Sequence, residues 1–423
     1  MKENRKPPSQ ASGTSGVAQL PASARAVSLP VWREALAGFG RDSRRWPLVV
    51  LGVAAFAFLV RVVIFLHTNG GNDLRIYTYF ARLALHGHNP FTSPANGLFL
   101  PIYGNSPPLE MAAFAGLLGV HDSPMTLRVI FGLADVAVIW LIGMYYPRSK
   151  SWRLAFLLFY AFNPFVLVSW SAFSEDKTIL FFLIAAWLLA LERDREWWAW
   201  AVGTGLAVFK FLGVFAAPML ALWSYRKSRW RMLIPAAAAL TVFAASNLPW
   251  FPHSLNAFAR RDAHLGINPI HASPLLVLAR LHLYSSVEPR LFLVLAIAAV
   301  FVLYASRRIE IREAVVWALF SGYIFLPDDP FNRLLLITLP FLLLVEFTAK
   351  QWIALWVVSC MAALGVVIAT HGVPHALSPL ASVLRAVFSR EGSPQHVLWI
   401  NLVPALTIGF YLIDRRPTRT RTT

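Results

Sequence analysis

Of 423 residues, 57% are hydrophobic and only 14% charged, a balance that excludes a soluble domain of this length and reads as a chain crossing a membrane many times. The net charge of +17 does not point to nucleic acid, because the basic residues fall in short clusters between apolar runs. One cysteine, Cys360, lies inside an apolar run, so an intrachain disulfide is excluded.

Residues 1–45 are rich in Ser, Ala, Pro and basic side chains, carry no apolar run of signal-peptide type, and are expected to form a disordered cytoplasmic tail. Apolar runs of spanning length follow at 47–67, 124–146, 153–173, 177–192, 231–248, 290–306, 312–327, 331–347, 351–370 and 397–413, which predicts an all-α polytopic protein of about ten transmembrane helices within 46–413. Residues 414–423 form a second basic tail. Five basic clusters alternate with these runs: Arg41, Arg44 and Arg45; Arg148, Lys150 and Arg153; Arg226, Lys227, Arg229 and Arg231; Arg307, Arg308 and Arg312; and Arg415, Arg416, Arg419 and Arg421. The positive-inside rule assigns all five, and both termini, to the cytoplasm. That leaves 68–123, 249–289 and 371–396 as extracytoplasmic segments, and the charge asymmetry favours a bacterial cytoplasmic membrane.

The stretch 199–223 breaks the pattern. Arg193 and Arg195 precede it and Arg226, Lys227 and Arg229 follow it, so a single crossing is forbidden. Two half-helices or a re-entrant hairpin, broken near Lys210 to Gly213, reconcile its charge with its apolar content.

Chemistry-bearing residues gather in the outer segments. Asp73 follows the first span; a helix there puts Tyr77 on its face. Near a low-dielectric boundary such a carboxylate is suited to take a proton from a hydroxyl, whereas the bland assignment is an N-cap for a helix starting at Leu74. Gly87-His88-Asn89-Pro90-Phe91 and Pro101-Ile102-Tyr103-Gly104-Asn105-Ser106 carry amide, imidazole and hydroxyl groups on poor helix formers, a pattern for pocket lining. Ser174-Glu175-Asp176-Lys177 packs three charges between two apolar helices, able to hold a hydroxylated substrate, a divalent ion or each other. Lys210 is a lone ammonium in an apolar run, which requires a carboxylate or phosphate partner unless it snorkels. Arg260, Arg261 and His264 in the second outer segment, and Arg333 after Asp328-Asp329-Pro330, are candidate phosphate ligands. Asp135 and Glu346 stand isolated in sequence and receive no role. Histidines show no metal-ligand spacing, and no Walker, GxSxG or zinc pattern occurs.

The order of these features resembles the integral-membrane glycosyltransferases of the GT-C superfamily, especially polyprenyl-phosphate-sugar-dependent mannosyl and arabinofuranosyl transferases, over about residues 47–350. The matching elements are Asp73 with Tyr77 and Tyr79; Gly87 with Asn89-Pro90-Phe91; Tyr103 with Pro107-Pro108; Asn163-Pro164-Phe165 before Ser174-Glu175-Asp176-Lys177; Gly203-Thr204-Gly205-Leu206-Ala207 running to Lys210; and Asp328 to Arg333. The resemblance implies a large first outer loop whose acid is a general base. It further implies a polyprenyl-phosphate sugar donor, with mannose the expected sugar, and a glycolipid or glycan acceptor on the extracytoplasmic side. Asp73 would be the base; Tyr77, Asn89, Tyr103, Glu175, Asp176, Lys177, Lys210, Arg260, Arg261, His264 and Arg333 would bind substrate. Some relatives carry two acids in the first loop, whereas Asp73 has no acidic neighbour in sequence, so no metal is assigned and a divalent cation is left as an open partner. The alternative is a transporter or lipid flippase with a midplane polar site at Lys210 and Glu175-Asp176.

Overall fold

A computed structural model describes residues 45–92, 107–254, 288–324, 331–373, 375–388 and 394–415. Among the described residues the secondary structure is helical, with no strand. In chain order the helices are α1 (Trp46–His67), α2 (Asn72–Leu85), α3 (Pro108–Val120), α4 (Pro124–Tyr145), α5 (Lys150–Phe162), α6 (Pro164–Ala172), α7 (Lys177–Glu192), α8 (Glu196–Lys210), α9 (Leu212–Ser228) and α10 (Leu233–Asn247). They continue with α11 (Glu288–Ala305), α12 (Ile311–Ile324), α13 (Phe331–Leu342), α14 (Ala349–His371), α15 (Ala381–Phe388) and α16 (Pro394–Asp414).

Four helical stretches are long and apolar enough to cross a membrane: α1, α4, Trp250-terminated Leu212–Trp250 and Ala349–Thr370. A fifth is added if the bent pair α5–α6 is one span. Several of the ten predicted runs therefore become shorter helices, and 331–347 ends its helix at Leu342.

Local sequence sets the boundaries. Ser123 Oγ accepts from Met125 N at 3.2 Å with Pro124 at the first helical position, and Thr348 forms a reciprocal capping box with Gln351. Asn163 does the same inside an apolar run: its Oδ1 accepts from Phe165 N at 2.9 Å while Pro164 removes a donor, and α5 and α6 diverge by 42°. Residues Leu167–Ala172 of α6 are wound as a π-helix that ends at the Ser174 turn.

The stretch 199–223 is a helical hairpin. Phe211, at φ 58° in the left-handed region, reverses the chain between α8 and α9. The legs are fastened at their far ends by Trp200 Nε1 donating to Ser224 Oγ (3.1 Å), Ser228 Oγ donating to Glu196 (2.8 Å) and a Lys227–Asp194 pair (2.6 Å). Near the tip Gly213 lies against the Gly203 carbonyl and the Ala207 amide, where a Cβ would have no room.

The basic clusters meet at one end of the bundle. Arg148 donates to the carbonyls of Leu343 and Leu344 (both 3.1 Å) and sits 3.6 Å from Glu192, which also pairs with Arg312. Arg226 donates to Ala305 O at 2.7 Å, and Arg415 pairs with Glu313 at 2.9 Å and reaches Arg308 O. Basic side chains thus satisfy carbonyls at helix C-termini. Glu346 belongs here, accepting from the Ser149 amide and hydroxyl at 3.0 Å, so it is not isolated. Nor is Asp135: inside the bundle it accepts from Arg61 Nε at 2.5 Å and from the Tyr160 hydroxyl, while Arg61 also donates to Ala161 O at 3.1 Å. Two buried charges from α1 and α4 are paired with each other, the condition for keeping such groups in an apolar interior.

Candidate functional site

The other end of α7, about 22 Å from Glu192 at 1.5 Å per residue, carries the second ionic assembly. The first span runs to His67, and Gly70-Gly71 then brings the chain against the turn before α7. Gly71 N donates to Phe173 O at 2.6 Å, and a Cβ on Gly71 would lie 2.9 Å from the Phe173 ring. Only glycine permits that approach. Helix α2 begins at Asn72 with Gly71 at the N-cap, so Asp73 stands in the first helical turn and the N-cap assignment is corrected. Its side chain instead reaches Lys177 Nζ, 3.3 Å from Oδ2.

Lys177, buried at the start of α7, gathers the surrounding groups. Its ammonium donates to Glu175 Oε2 (2.5 Å) and the Tyr77 hydroxyl oxygen (3.2 Å) and lies 2.9 Å from Asp176 Oδ1. Tyr77, one helical turn after Asp73, donates its hydroxyl to Asp176 Oδ1 at 2.8 Å. Lys210, at the tip of the hairpin, donates to both oxygens of Glu110 at 2.9 Å and lies 2.9 Å from Asp176 Oδ2. Both ammoniums also sit over the Tyr77 ring, 5.9 and 5.2 Å from its centroid. Phe114, Phe131 and Phe209 form the apolar jacket around Tyr77. The helical face predicted for Asp73 and Tyr77 is therefore present, and Lys210 has carboxylate partners and does not snorkel.

Exposure separates the four carboxyl groups. Glu175, Asp176 and Glu110 side chains are 4%, 0% and 0% exposed, but Asp73 is 31% exposed. Burial, with smaller contributions from neighbouring carboxylates, pushes both Glu175 and Glu110 up to about 8, against the pull of Lys177 and Lys210 respectively. Both are thereby shifted toward the protonated form at neutral pH. Asp176 goes the other way: burial alone would raise it, but the Lys177 and Lys210 ammoniums outweigh that and hold it well below the usual carboxylate range. Tyr77 stays a phenol, driven up by burial and then by Asp176.

Glu110 is the residue that sequence reasoning missed. It lies in the same segment 68–123 as Asp73, yet 37 positions along the chain, within an apolar helix that conceals it. Asp73 has no acidic neighbour in sequence but gains them in space: Glu175 and Asp176 share Lys177 with it, and Glu110 joins through Lys210. The signal was a lone carboxylate in an apolar run, the same signal that singled out Lys210. An outer site at Asp73 and a separate midplane site at Lys210 are likewise not distinct places; one network contains both.

Other expected ligands fare differently. Asn89 Oδ1 accepts from Phe91 N at 2.9 Å, so that oxygen builds the turn after α2. Tyr103, Arg260, Arg261, His264 and the Arg333 side chain lie outside the described residues. Among the described residues no group of three or more His, Cys, Asp or Glu side chains is arranged to hold a metal ion; the clustered carboxyls turn toward the two ammoniums.

No protein-family model matches this chain, and no curated protein is similar to it.

Proposed function

We propose that this chain is an inverting glycosyltransferase of the membrane, using a polyprenyl-phosphate mannose donor, with Asp73 as the general base on an acceptor hydroxyl. The basic end of the bundle faces the cytoplasm, and the ionic assembly faces the opposite, extracytoplasmic side. The hairpin α8–α9 then adds an outward and a return crossing, which accounts for basic residues at both of its ends. The observation that carries the reading is the exposure of Asp73: of four clustered carboxyls, it alone has a surface a substrate can touch.

In the reaction, the Asp73 carboxylate takes the proton of the acceptor hydroxyl as that oxygen forms its bond to the anomeric carbon. The bond from that carbon to the donor phosphate breaks, its electron pair leaves with the polyprenyl phosphate, and the configuration inverts in this single displacement. Lys177 orients the base through Oδ2. Buried acids and their lysines hold the arrangement fixed, so little reorganisation accompanies proton transfer. Arg260, Arg261 and Arg333 are the proposed ligands of the leaving phosphate.

Purified protein in lipid nanodiscs, given a labelled polyprenyl-phosphate mannose and candidate glycolipid acceptors, tests the reading. A covalent product with inverted anomeric configuration is expected. Movement of the intact lipid across sealed vesicles without any covalent product would replace this reading with the flippase.

A further inference from the structure

One buried arginine joins both chain segments that deliver the ionic assembly. Arg128 projects from the first turns of α4, and three of its nitrogens are used in different directions. Nε donates to Ser174 Oγ at 2.8 Å, in the turn that carries Glu175, Asp176 and Lys177. Nη1 donates to the carbonyls of Phe65 (2.7 Å) and Thr68 (2.5 Å), and Nη2 to Thr68 Oγ1 at 2.6 Å. Those two residues end α1 and begin the short link to Asp73. The guanidinium carbon lies 4.8 Å from the Phe65 ring centroid, and the side chain is 3% exposed.

Both anchored segments are unusual and need anchoring. Ser174 is held at φ 57° in the left-handed region, a conformation that costs a non-glycine residue energy and persists only when its surroundings fix it. The link 68–71 contains two adjacent glycines, one with φ 74°, and such a link has high conformational freedom of its own. They touch through the Gly71–Phe173 hydrogen bond, three residues after Thr68 and one before Ser174, and through Thr68 Oγ1 donating to Ala172 O at 3.4 Å. Without the guanidinium, the side-chain ties of Asp73 and Tyr77 to Lys177 and Asp176 must hold a glycine link against a strained serine turn unaided.

We infer that Arg128 is the positioning residue of the site: its guanidinium fixes the segment bearing Asp73 against the turn bearing Lys177 and so sets where the base stands. The inference rests on the catalytic reading of Asp73 for its effect on rate, but its structural content does not. A lysine does not replace Arg128, because a single ammonium cannot address Ser174, Thr68 and Phe65 in fixed directions at once.

The test combines amide hydrogen exchange with steady-state kinetics on the full chain in nanodiscs. Arg128→Gln and Arg128→Lys are expected to speed exchange at least about tenfold in both 70–76 and 173–177, leaving the far hairpin ends at 196–200 and 224–228 unchanged. Thr68→Val should loosen mainly the first segment and Ser174→Ala mainly the second, and these single-arm variants carry the test if the Arg128 variants do not fold. Transfer should lose about 10- to 100-fold in kcat with KM within about twofold, the pattern of a misplaced catalytic group. Unchanged exchange in either segment for Arg128→Gln, or full kcat in Arg128→Lys, overturns the inference. Exchange that behaves as stated in a protein that transfers no sugar supports the positioning role and defeats the catalytic reading instead.

Discussion

At the scale of single residues, the site is a charge arrangement in which two ammoniums and four carboxyls are balanced by protonation. Lys177 is buried against Glu175 and Asp176, so Lys177→Met leaves Asp176 charged with one partner fewer in an apolar setting and is expected to cost about 3 to 5 kcal/mol. Chemical or thermal unfolding in detergent measures this, and adding Glu175→Gln should recover little, because Asp176 is the ionised group. The pH response has a definite sign. Glu175 and Glu110 ordinarily titrate near 4.5 and are pushed up to about 8 in the fold, so the stability they contribute is complete below pH 4.5 and is lost as pH climbs through 8. The melting temperature should therefore fall between about pH 4.5 and 8, and Glu175→Gln should flatten that fall. Of these residues, Asp73, Tyr77, Glu175, Asp176, Lys177 and Lys210 were legible in the sequence because each is polar where lipid or a tight turn leaves little room for polarity. Glu110 and Arg128 carry the same signal, an ionisable group within an apolar run, but only the fold shows their partners, 46 to 100 positions away.

At the scale of elements, the helical hairpin shows how far charge alone can go. Basic residues on both flanks of 199–223 exclude a single crossing, and the break at Phe211 falls within the predicted Lys210 to Gly213. What the flanks could not give was the direction of the tip, which brings Lys210 to Glu110 and Asp176. Gly213 makes that close return possible, so Gly213→Ala is expected to destabilise by about 1 to 3 kcal/mol through overpacking against the Gly203 carbonyl, with a Gly205→Ala control, whose added Cβ meets open space, near neutral in the same melting assay. The run 153–173 was read as one span, whereas Asn163-Pro164 bends it by 42°, and the π-helical continuation had no signal, since no periodicity in six residues distinguishes it. Asp135 and Arg61 illustrate the same limit, being paired across 74 positions by the packing of α1 on α4.

At the scale of the whole molecule, the charges divide into a basic end, where Arg148, Arg226, Arg312 and Arg415 bind helix ends and glutamates, and an acidic end built around Lys177 and Lys210. The proposed topology predicts that, with Cys360 replaced by Ala, a cysteine at exposed Thr92 is labelled in intact cells by a membrane-impermeant maleimide while one at exposed Ser151 is labelled only after permeabilisation; the reverse pattern would turn the molecule over. The central claim, that Asp73 is the base of an extracytoplasmic sugar transfer, is tested most directly by the transfer rate of Asp73→Asn in protein whose melting temperature matches wild type. The account predicts a loss of at least about 100-fold, within the range for removing a general base. Transfer at the wild-type rate by folded Asp73→Asn would contradict it.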